Sequence, residues 1–286
     1  MSSPPPSTGL TRRRQRISDQ ETEQRMLQAA LAMVNRAGLT VSLDHISFED
    51  VIREAGVARS AVYRKWPYKD LFFSDLLKEL ATGATPAIAG NNPESTAATT
   101  RALLDHLDWL RTPDLRRALA AEALRQGALT EFQTFDQSPE WRTYFALQAT
   151  FRSLPESELR DEIQHALTEA DHALITRLAA TYQAVSHLLG LRLRPEIDTG
   201  FDTLATLASA TIRGLILMAP THPAIASDRF QANPFGAPAP AEWTQPALGI
   251  ATMILSFLEV DPDVEWTDKR IADIRSTLHS GNWAPR

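Results

Sequence analysis

Two short helical patterns joined by a glycine, within residues 47–66, constrain the fold of this chain more than any other stretch. Ser47 is a favourable N-cap for the first helix, whose apolar residues recur at the spacing of one helix face. Gly56 is suited to end it, because glycine takes the left-handed conformation of a helix C-terminus without strain. The second helix is expected from about Ala58 to Lys65. Two such helices and a tight turn are the layout of a helix-turn-helix, whose second helix enters the major groove of DNA.

The second helix has two different faces. Val62 and Trp66 are four residues apart and are expected to pack against the first helix. Guanidiniums and hydroxyls of the opposite face are donors that proteins use on phosphates and on guanine edges. That face carries Arg59, Ser60, Tyr63 and Arg64. A DNA-reading surface and a solvated basic helix both fit this pattern.

The stretch from Glu54 to Leu71 resembles the TetR/AcrR family of bacterial repressors, and the likeness extends over residues 18–82. The match lies in the Ala-Gly-Val before the second helix, in Tyr63, in an aromatic residue at 66 and in the Lys-Asp-Leu run at 69–71. The chain departs from the family at Ala58, where Ser or Thr is usual, and at Trp66, where Phe is more usual.

The resemblance implies an all-α protein with a three-helix helix-turn-helix domain. A connecting helix would join it to a larger helical domain for ligand binding and dimerisation. It also implies that Tyr63 and Lys69 contact the DNA backbone while the exposed part of the second helix faces the bases. The expected DNA-binding residues are Ser47, Arg59, Ser60, Ala61, Tyr63, Arg64, Lys65 and Lys69.

Charge is unevenly distributed along the chain, whose net charge is −6. Residues 1–85 carry 12 Lys/Arg against 10 Asp/Glu, whereas the remainder carries 17 against 25. The acidic excess is therefore expected away from the part that would meet phosphate. Residues 1–17 form a basic arm that fits either a solvated tail or a contact to DNA.

Composition excludes several kinds of functional site and of membrane segment. The chain has no cysteine, which excludes disulfides, thiol nucleophiles and cysteine-ligated metals. It has no apolar run of the ~20 residues needed to span a bilayer and no signal-type segment at its N-terminus. We therefore expect a cytoplasmic protein with no membrane partner and no cofactor.

The rest of the chain is expected to be helical, with no strand pattern. A connecting helix should run from Tyr68 to about Ala81, with breakers from Thr82 to Pro93 marking a boundary between domains at 18–82 and 83–286. The further helices are expected at about 94–110, 114–126, 139–152, 156–189, 199–219, 246–260 and 267–279.

An aromatic stripe on helix 139–152 admits two interpretations, ordinary core packing or the wall of a pocket for a partly apolar small molecule. The resemblance places an effector site in this part of the chain, and two residues of the helix expected at 94–110 could face the same space. The candidate pocket residues are His106, Trp109, Trp141, Tyr144, Phe145, Gln148 and Phe151.

Two Glu-x-x-His units on helix 156–189 have the spacing used in di-iron bundles. Such sites take their ligands from different helices, however, whereas all four residues share one helix and lie opposite its apolar stripe. We therefore predict no metal site. The four side chains are Glu162, His165, Glu169 and His172.

Helices 199–219 and 246–260 have apolar residues around most of their circumference. A helix of this kind must be buried on every side, and a second copy of the chain is the simplest partner. We expect a homodimer through these two helices. The segment from Pro220 to Pro246 contains six prolines, which exclude a continuous helix there, and the role of this segment stays open.

Three functions remain. The first is a homodimeric repressor that binds double-stranded operator DNA and is released by a small-molecule effector. The second is an all-α enzyme with a vestigial helix-turn-helix, although no phosphate loop or catalytic triad spacing supports it. The third is a protein-interaction adaptor that uses the apolar helices. A protein that is not an enzyme is the expectation.

Overall fold

The computed structural model describes residues 17–37, 46–89 and 92–284. The basic arm expected at 1–17 lies outside the described residues except for Ile17. Helices dominate what is described, so the chain is all-α in class. The N-terminal helices are α1 (Asp19–Ala37), α2 (Phe48–Ala55), α3 (Arg59–Lys65) and α4 (Lys69–Ala89).

The caps of α1 and α2 follow from their sequences. The Ser18 hydroxyl accepts a hydrogen bond from the Glu21 backbone N–H at 3.0 Å, and the Ser47 hydroxyl accepts one from the Asp50 N–H at 3.3 Å. The Glu21 carboxylate does not return the bond to Ser18, because it pairs with Arg25 at 2.6 Å. Only half of a capping box therefore forms at α1.

The turn between α2 and α3 depends on one glycine. Gly56 has φ of 64°, in the left-handed region, and its N–H bonds to the Arg53 carbonyl at 3.3 Å. Ala58 follows as the N-cap of α3 and supplies no side-chain bond to it. The start of α3 is therefore fixed by packing rather than by a capping hydroxyl.

Aromatic packing fixes α3 in place. Trp66 and Phe72 are fully buried, with ring centroids 5.1 Å apart, and Phe72 packs on Phe48 at the same distance. The Trp66 indole N–H donates to Asp75 at 2.8 Å, so its one polar atom is satisfied within the core. Val62 is buried in the same core, and the opposite face of α3 is therefore turned to solvent.

Helix α4 is longer than its sequence predicts. It was expected to end near Ala81, yet it continues through Gly83 and Pro86 to Ala89. Pro86 removes one backbone donor and is disfavoured inside a helix, but the surrounding alanines are strong helix formers and the proline lies in the last turn. The breaker residues therefore do not interrupt the helix.

The chain divides into two compact units at the bond between Leu80 and Ala81, within α4. The second unit contains a 3-10 turn at Leu107–Arg111 and eight further helices among its described residues. These are α5 (Pro93–Asp105), α6 (Pro113–Gln137), α7 (Pro139–Ser153), α8 (Glu158–Leu188), α9 (Phe201–Met218), α10 (Ala224–Ser227), α11 (Gln245–Phe257) and α12 (Asp268–Ser280).

Helix α6 is the centre of the second unit, where it packs against α5, α9 and α11. It runs 11 residues past its expected end near 126. Gly127 lies inside it because a Cβ at that position would stand 2.6 Å from the Thr99 hydroxyl of α5. The glycine therefore permits a close approach of two helices and does not end one.

Four short strands were not predicted. β1 (Leu191–Leu193) pairs antiparallel with β4 (Leu258–Val260), and β2 (Phe230–Ala232) pairs with β3 (Ala241–Trp243). Residues 258–260 were expected to belong to a helix, but α11 ends at Phe257. Each strand has three residues, too few to display the alternation by which strands are identified in a sequence.

Helix α8 carries its apolar stripe as expected, since Ile163, Leu167, Ala170, Leu174 and Leu178 are all buried. The four Glu and His side chains considered as metal ligands are exposed on the other face. Among the described residues no group of three or more His, Cys, Asp or Glu is arranged to hold a metal ion.

Helices α9 and α11 pack on each other and bury one face each. Beyond Asp202 in its first turn, the outward face of α9 is uncharged and partly apolar, with Leu207, Leu217 and Met218 all exposed. On α11 the outward residues Gln245, Thr252 and Ser256 are polar, so this helix is less apolar on its exposed side than expected. By length and composition, α9 is the one described helix that could cross a membrane, with mean hydropathy of 1.3, a test that core helices also pass.

Candidate functional site

Helix α3 presents a polar surface of four side chains that share one face. Arg59, Ser60, Tyr63 and Arg64 are exposed, and Lys65 is exposed beside them. Their position follows from the burial of Val62 and Trp66 on the opposite side. The division of faces expected from the spacing is therefore confirmed. We call Arg59, Ser60, Tyr63, Arg64 and Lys65 the α3 surface.

Each cation of the α3 surface is paired with a carboxylate from another helix of the first unit. Arg59 lies 2.5 Å from Glu49 of α2, and Lys65 lies 2.9 Å from Glu23 of α1. Arg64 pairs with Asp19 of α1. All three pairs are exposed to solvent. The surface is therefore electrically balanced in the free protein, which the sequence did not predict.

Tyr63 links the α3 surface to the core. Its ring meets the edge of Phe48 with centroids 5.8 Å apart, and its hydroxyl donates to Glu49 at 2.9 Å. The hydrogen bond to Glu49 raises the pKa of Tyr63 above its ordinary value. The bond to Glu23 likewise raises the pKa of Lys65. Both groups therefore stay protonated, and able to donate, at neutral pH.

The other residues expected at DNA differ in environment. The Ser47 hydroxyl is used as the N-cap of α2, and Ala61 is half-buried. Lys69, at the start of α4, is exposed. Among the described residues, the side chains of Ser60 and Lys69 have neither a hydrogen-bond nor an ion-pair partner. Both side chains are exposed to solvent.

In the second unit, four of the expected pocket residues form a packed cluster. Trp141 and Tyr144 are buried, and Phe145 packs on both. The Tyr144 hydroxyl donates to Asp171 at 2.6 Å and accepts from the Gln148 amide at 2.7 Å. Polar groups of this cluster are therefore satisfied within the protein.

Arg213 of α9 completes that cluster. Its guanidinium pairs with Asp171 at 2.8 Å and lies 5.5 Å from the Trp141 ring centre and 5.2 Å from that of Tyr144. Burial, opposed by the positive charge of Arg213, raises the pKa of Tyr144 to about 12. The network joins α7, α8 and α9 and leaves no open space for a ligand among these groups.

The remaining expected pocket residues lie apart. His106 and Trp109 stack on each other at 4.3 Å, while Phe151 packs under Arg160. None of the seven lines the cavity of about 100 Å³ between α5, α6, α8 and α11, although Trp141 borders a smaller one of about 20 Å³. We call the first of these the main cavity; a wider but more open cleft of about 470 Å³ lies between α8 and α12. The position of the cavity therefore differs from that expected from the aromatic stripe.

The main cavity has a volume of about 100 Å³ and lies between α5, α6, α8 and α11. Apolar residues form most of its wall, including Leu124 of α6, Val185 of α8 and Ile250 and Ile254 of α11. Trp283, beyond α12, also borders it. A largely apolar wall with a few polar groups is typical of a small-molecule site.

Three of the polar residues that line this cavity carry titratable side chains, namely Glu131 of α6 and Arg177 and Tyr182 of α8. The other polar residues of the lining are neutral: Asn92, Ser95, Thr96, Thr99, Thr181 and Ser186. Among the described residues, the Glu131 carboxylate and the Tyr182 hydroxyl have no hydrogen-bond partner, and Arg177 Nε and Nη2 are buried without one. Buried polar groups in proteins are almost always hydrogen-bonded, so unmet groups need an explanation. We call these three residues the cavity triad.

Burial dominates the electrostatics of the cavity triad. It raises the pKa of Glu131, with the charge of Arg177 acting weakly in the opposite sense. Burial also lowers the pKa of Arg177 and raises that of Tyr182. For both charged residues the loss of hydration thus outweighs their mutual attraction.

Sequence reasoning missed the cavity triad, although one signal was present. Glu131 falls on the apolar stripe of α6, in register with Leu124, Ala128 and Phe135. A carboxylate within such a stripe predicts either a buried partner or a functional site. Arg177 and Tyr182 follow the buried stripe of α8 in the same way.

Comparisons with known proteins add no relative. Searches of protein-family models, curated proteins and solved structures found no match to this chain.

Proposed function

We propose that this protein is a ligand-responsive, homodimeric transcriptional regulator that binds operator DNA through a helix-turn-helix of TetR type, acting in the cytoplasm as a repressor. The observation that carries the proposal is the α3 surface, a short helix whose apolar face is anchored by Trp66 while its outward face displays cations and hydroxyls. This combination is what a recognition helix requires.

The architecture of the first unit supports this reading. Helices α2 and α3 both pack against α1, and the Gly56 turn sets the path between them. In a helix-turn-helix, the first helix of the pair crosses the backbone and the second lies in the major groove. Ser60 and Arg64 would then reach base edges, and Lys69 would reach a phosphate.

The ion pairs of the α3 surface are compatible with DNA binding. Exposed pairs contribute about 0–1 kcal/mol each, so exchanging Glu49, Asp19 and Glu23 for acceptor groups of DNA costs little. The carboxylates also keep the cations ordered and prevent weak association with other anions. In this proposal they are displaced when DNA binds.

Helices α9 and α11 are the proposed dimer surface. Arg213 is the one charged residue between Thr203 and Phe257 on either helix, and it points inward to Asp171. Beyond the exposed Asp202 at the start of α9, the outward face is uncharged, and Leu217 is 59% exposed on it. A two-fold interface there would pair two recognition helices with successive major grooves, ~34–36 Å apart.

The main cavity offers a route for control. Ile250 and Ile254 of α11 line it from the inside, while the opposite side of the same helix belongs to the proposed interface. A molecule that prefers one position of α11 would favour one dimer geometry. Effector and operator affinities would then be coupled, each weakening the other.

The test is binding to the protein's own promoter region as a function of salt concentration. If a dimer makes about eight phosphate contacts, the logarithm of its DNA-binding constant falls linearly with log[salt], with a slope of about −7. Absence of any salt-sensitive affinity would contradict the proposal.

Two substitutions separate base reading from backbone contact. Arg59→Ala is expected to cost about 1–3 kcal/mol and to relax base preference, whereas Lys69→Ala weakens binding to all sequences alike. Arg53→Ala is the control, because Arg53 is exposed on α2 and pairs within that helix with Asp50. If Arg59→Ala and Lys69→Ala act alike on every sequence, the assignment of roles is wrong.

A further inference from the structure

The cavity triad limits the chemistry of any molecule that occupies the main cavity. Within the part of the chain that the structure describes, no group donates a hydrogen bond to the Glu131 carboxylate and the Tyr182 hydroxyl has no hydrogen-bond partner. A ligand must therefore supply a donor to the carboxylate, and it gains further from an acceptor near Tyr182 and Arg177. A hydroxyl group offers both functions in one atom.

The charged residues of the cavity further restrict the class of ligand. Glu131 and Arg177 are an acid and a base that line the same cavity, so a neutral molecule adds no further charge to this space. A carboxylate would approach Glu131 unfavourably, and an ammonium group would approach Arg177 unfavourably. Adding an uncompensated charge to such a site is costly.

The volume of the cavity limits the size of the ligand. The cavity volume of about 100 Å³ is comparable to that of engineered cavities of about 150 Å³ that accept benzene. Leu124, Val185 and Ile254 would face the apolar part of the molecule. The space suits one aromatic ring or an aliphatic group of similar volume.

We propose that the cavity binds a small neutral alcohol or phenol, with its hydroxyl between Glu131 and Tyr182 and its apolar body against α6 and α11. The inference names the ligand class of the effector site and rests on the proposed function only for the effect of binding on DNA. Binding itself does not require DNA, so the two can fail separately.

The experiment titrates the full-length protein without DNA, by calorimetry, with four single-ring probes that differ in one group. These are benzyl alcohol, benzoate, benzylamine and toluene. Benzyl alcohol is expected to bind at least tenfold more tightly than the other three. Equal or tighter binding of benzoate or benzylamine overturns the proposal, and so does the absence of binding by all four.

Two tyrosine variants test the position of the hydroxyl. Tyr182→Phe removes an unpartnered hydroxyl from the cavity wall and should weaken benzyl alcohol binding about 2–10-fold. Tyr144→Phe is the matched control, because its hydroxyl is already bonded to Asp171 and Gln148 and the residue does not line the cavity. Equal effects of the two changes, or no effect of Tyr182→Phe, would contradict the site.

A third variant tests the charge argument and does not depend on either tyrosine. Glu131→Gln leaves Arg177 as the uncompensated charge, so benzoate should bind this variant more tightly than it binds the unsubstituted protein. An unchanged preference among the probes would overturn the assignment. DNA binding is measured in parallel, because a protein that binds benzyl alcohol but no DNA would disprove the regulator and retain the site.

Discussion

On α3, Arg59, Arg64 and Lys65 are exposed and each is paired with a carboxylate. The side chains of Glu131 and Arg177 instead line the main cavity, and no described residue forms a hydrogen bond with either of them. Exposed ion pairs contribute little to stability, so the carboxylate of such a pair can be exchanged for another anion at small cost. Enclosed groups lose hydration and recover little of it, so they lower stability unless a ligand completes them. The first region is suited to reversible exchange and the second to selection of a bound molecule.

The largest expected effect comes from removing both charges of the cavity together. Glu131→Met with Arg177→Met leaves the net charge of the protein unchanged and removes two poorly hydrated groups. The free energy of unfolding should rise by about 1–4 kcal/mol, the range seen when apolar groups replace buried ion pairs. Urea denaturation measures this change.

The matching double substitution on the first unit is Asp19→Asn with Arg64→Met, which removes an exposed pair. It should change the free energy of unfolding by less than about 1 kcal/mol. The comparison between the two regions would be reversed if the Asp19/Arg64 substitutions lowered the free energy of unfolding by more than the Glu131/Arg177 substitutions raised it.

An intermediate effect is expected from Glu131→Gln alone, and it depends on pH. Because burial raises the pKa of Glu131, the folded state binds the proton more tightly than the unfolded state, where the ordinary value is 4.5. Stability of the unsubstituted protein is therefore highest below that value and falls as pH rises through the folded pKa. Glu131→Gln should be more stable by about 1 kcal/mol at pH 7.5, roughly 2–4 °C in Tm, with little difference at pH 4.

Glu122 on the same helix provides the control for this pH dependence. It forms a two-pronged pair with Arg125 at 2.6 and 2.7 Å, so its carboxylate is satisfied where that of Glu131 is not. Glu122→Gln should therefore lower Tm at pH 7.5. If both substitutions shifted Tm in the same direction, the contrast between paired and unpaired carboxylates would be lost.

The α3 surface was predictable because it depends on local periodicity. Val62 and Trp66 had to be buried, which left Arg59 and Arg64 outside. Their acidic partners were not predictable, since Asp19 precedes Arg64 by 45 residues and the pair exists only after α1 packs on α3. Sequence periodicity identifies a face, but it does not identify what lies opposite that face.

The cavity was not predictable for a related reason. The aromatic stripe at Trp141 and Tyr144 was correctly placed inside the protein, but its polar atoms are satisfied by Asp171 and Arg213 from two other helices. Which buried cluster is completed and which is left open depends on how α5, α6, α8 and α11 fit together. Gly127 contributes to that fit by close approach to Thr99, a role that spacing alone does not reveal.

The smallest expected effect concerns the exchange of carboxylates for groups of DNA on the α3 surface. Glu49 pairs with Arg59 and accepts the Tyr63 hydrogen bond, so in the proposed regulator it would hold the surface in the free protein and oppose the approach of DNA. Glu49→Gln keeps an acceptor for Tyr63 and removes the charge, which should tighten operator binding by about 0.2–1 kcal/mol, or up to about fivefold. Fluorescence anisotropy at two salt concentrations measures the change. The matched control is Glu54→Gln on the same helix, because Glu54 is equally exposed but pairs with Arg36 of α1 rather than with α3. A gain confined to Glu49→Gln supports displacement of the acidic partner by DNA, whereas equal gains would reduce it to a general effect of net charge.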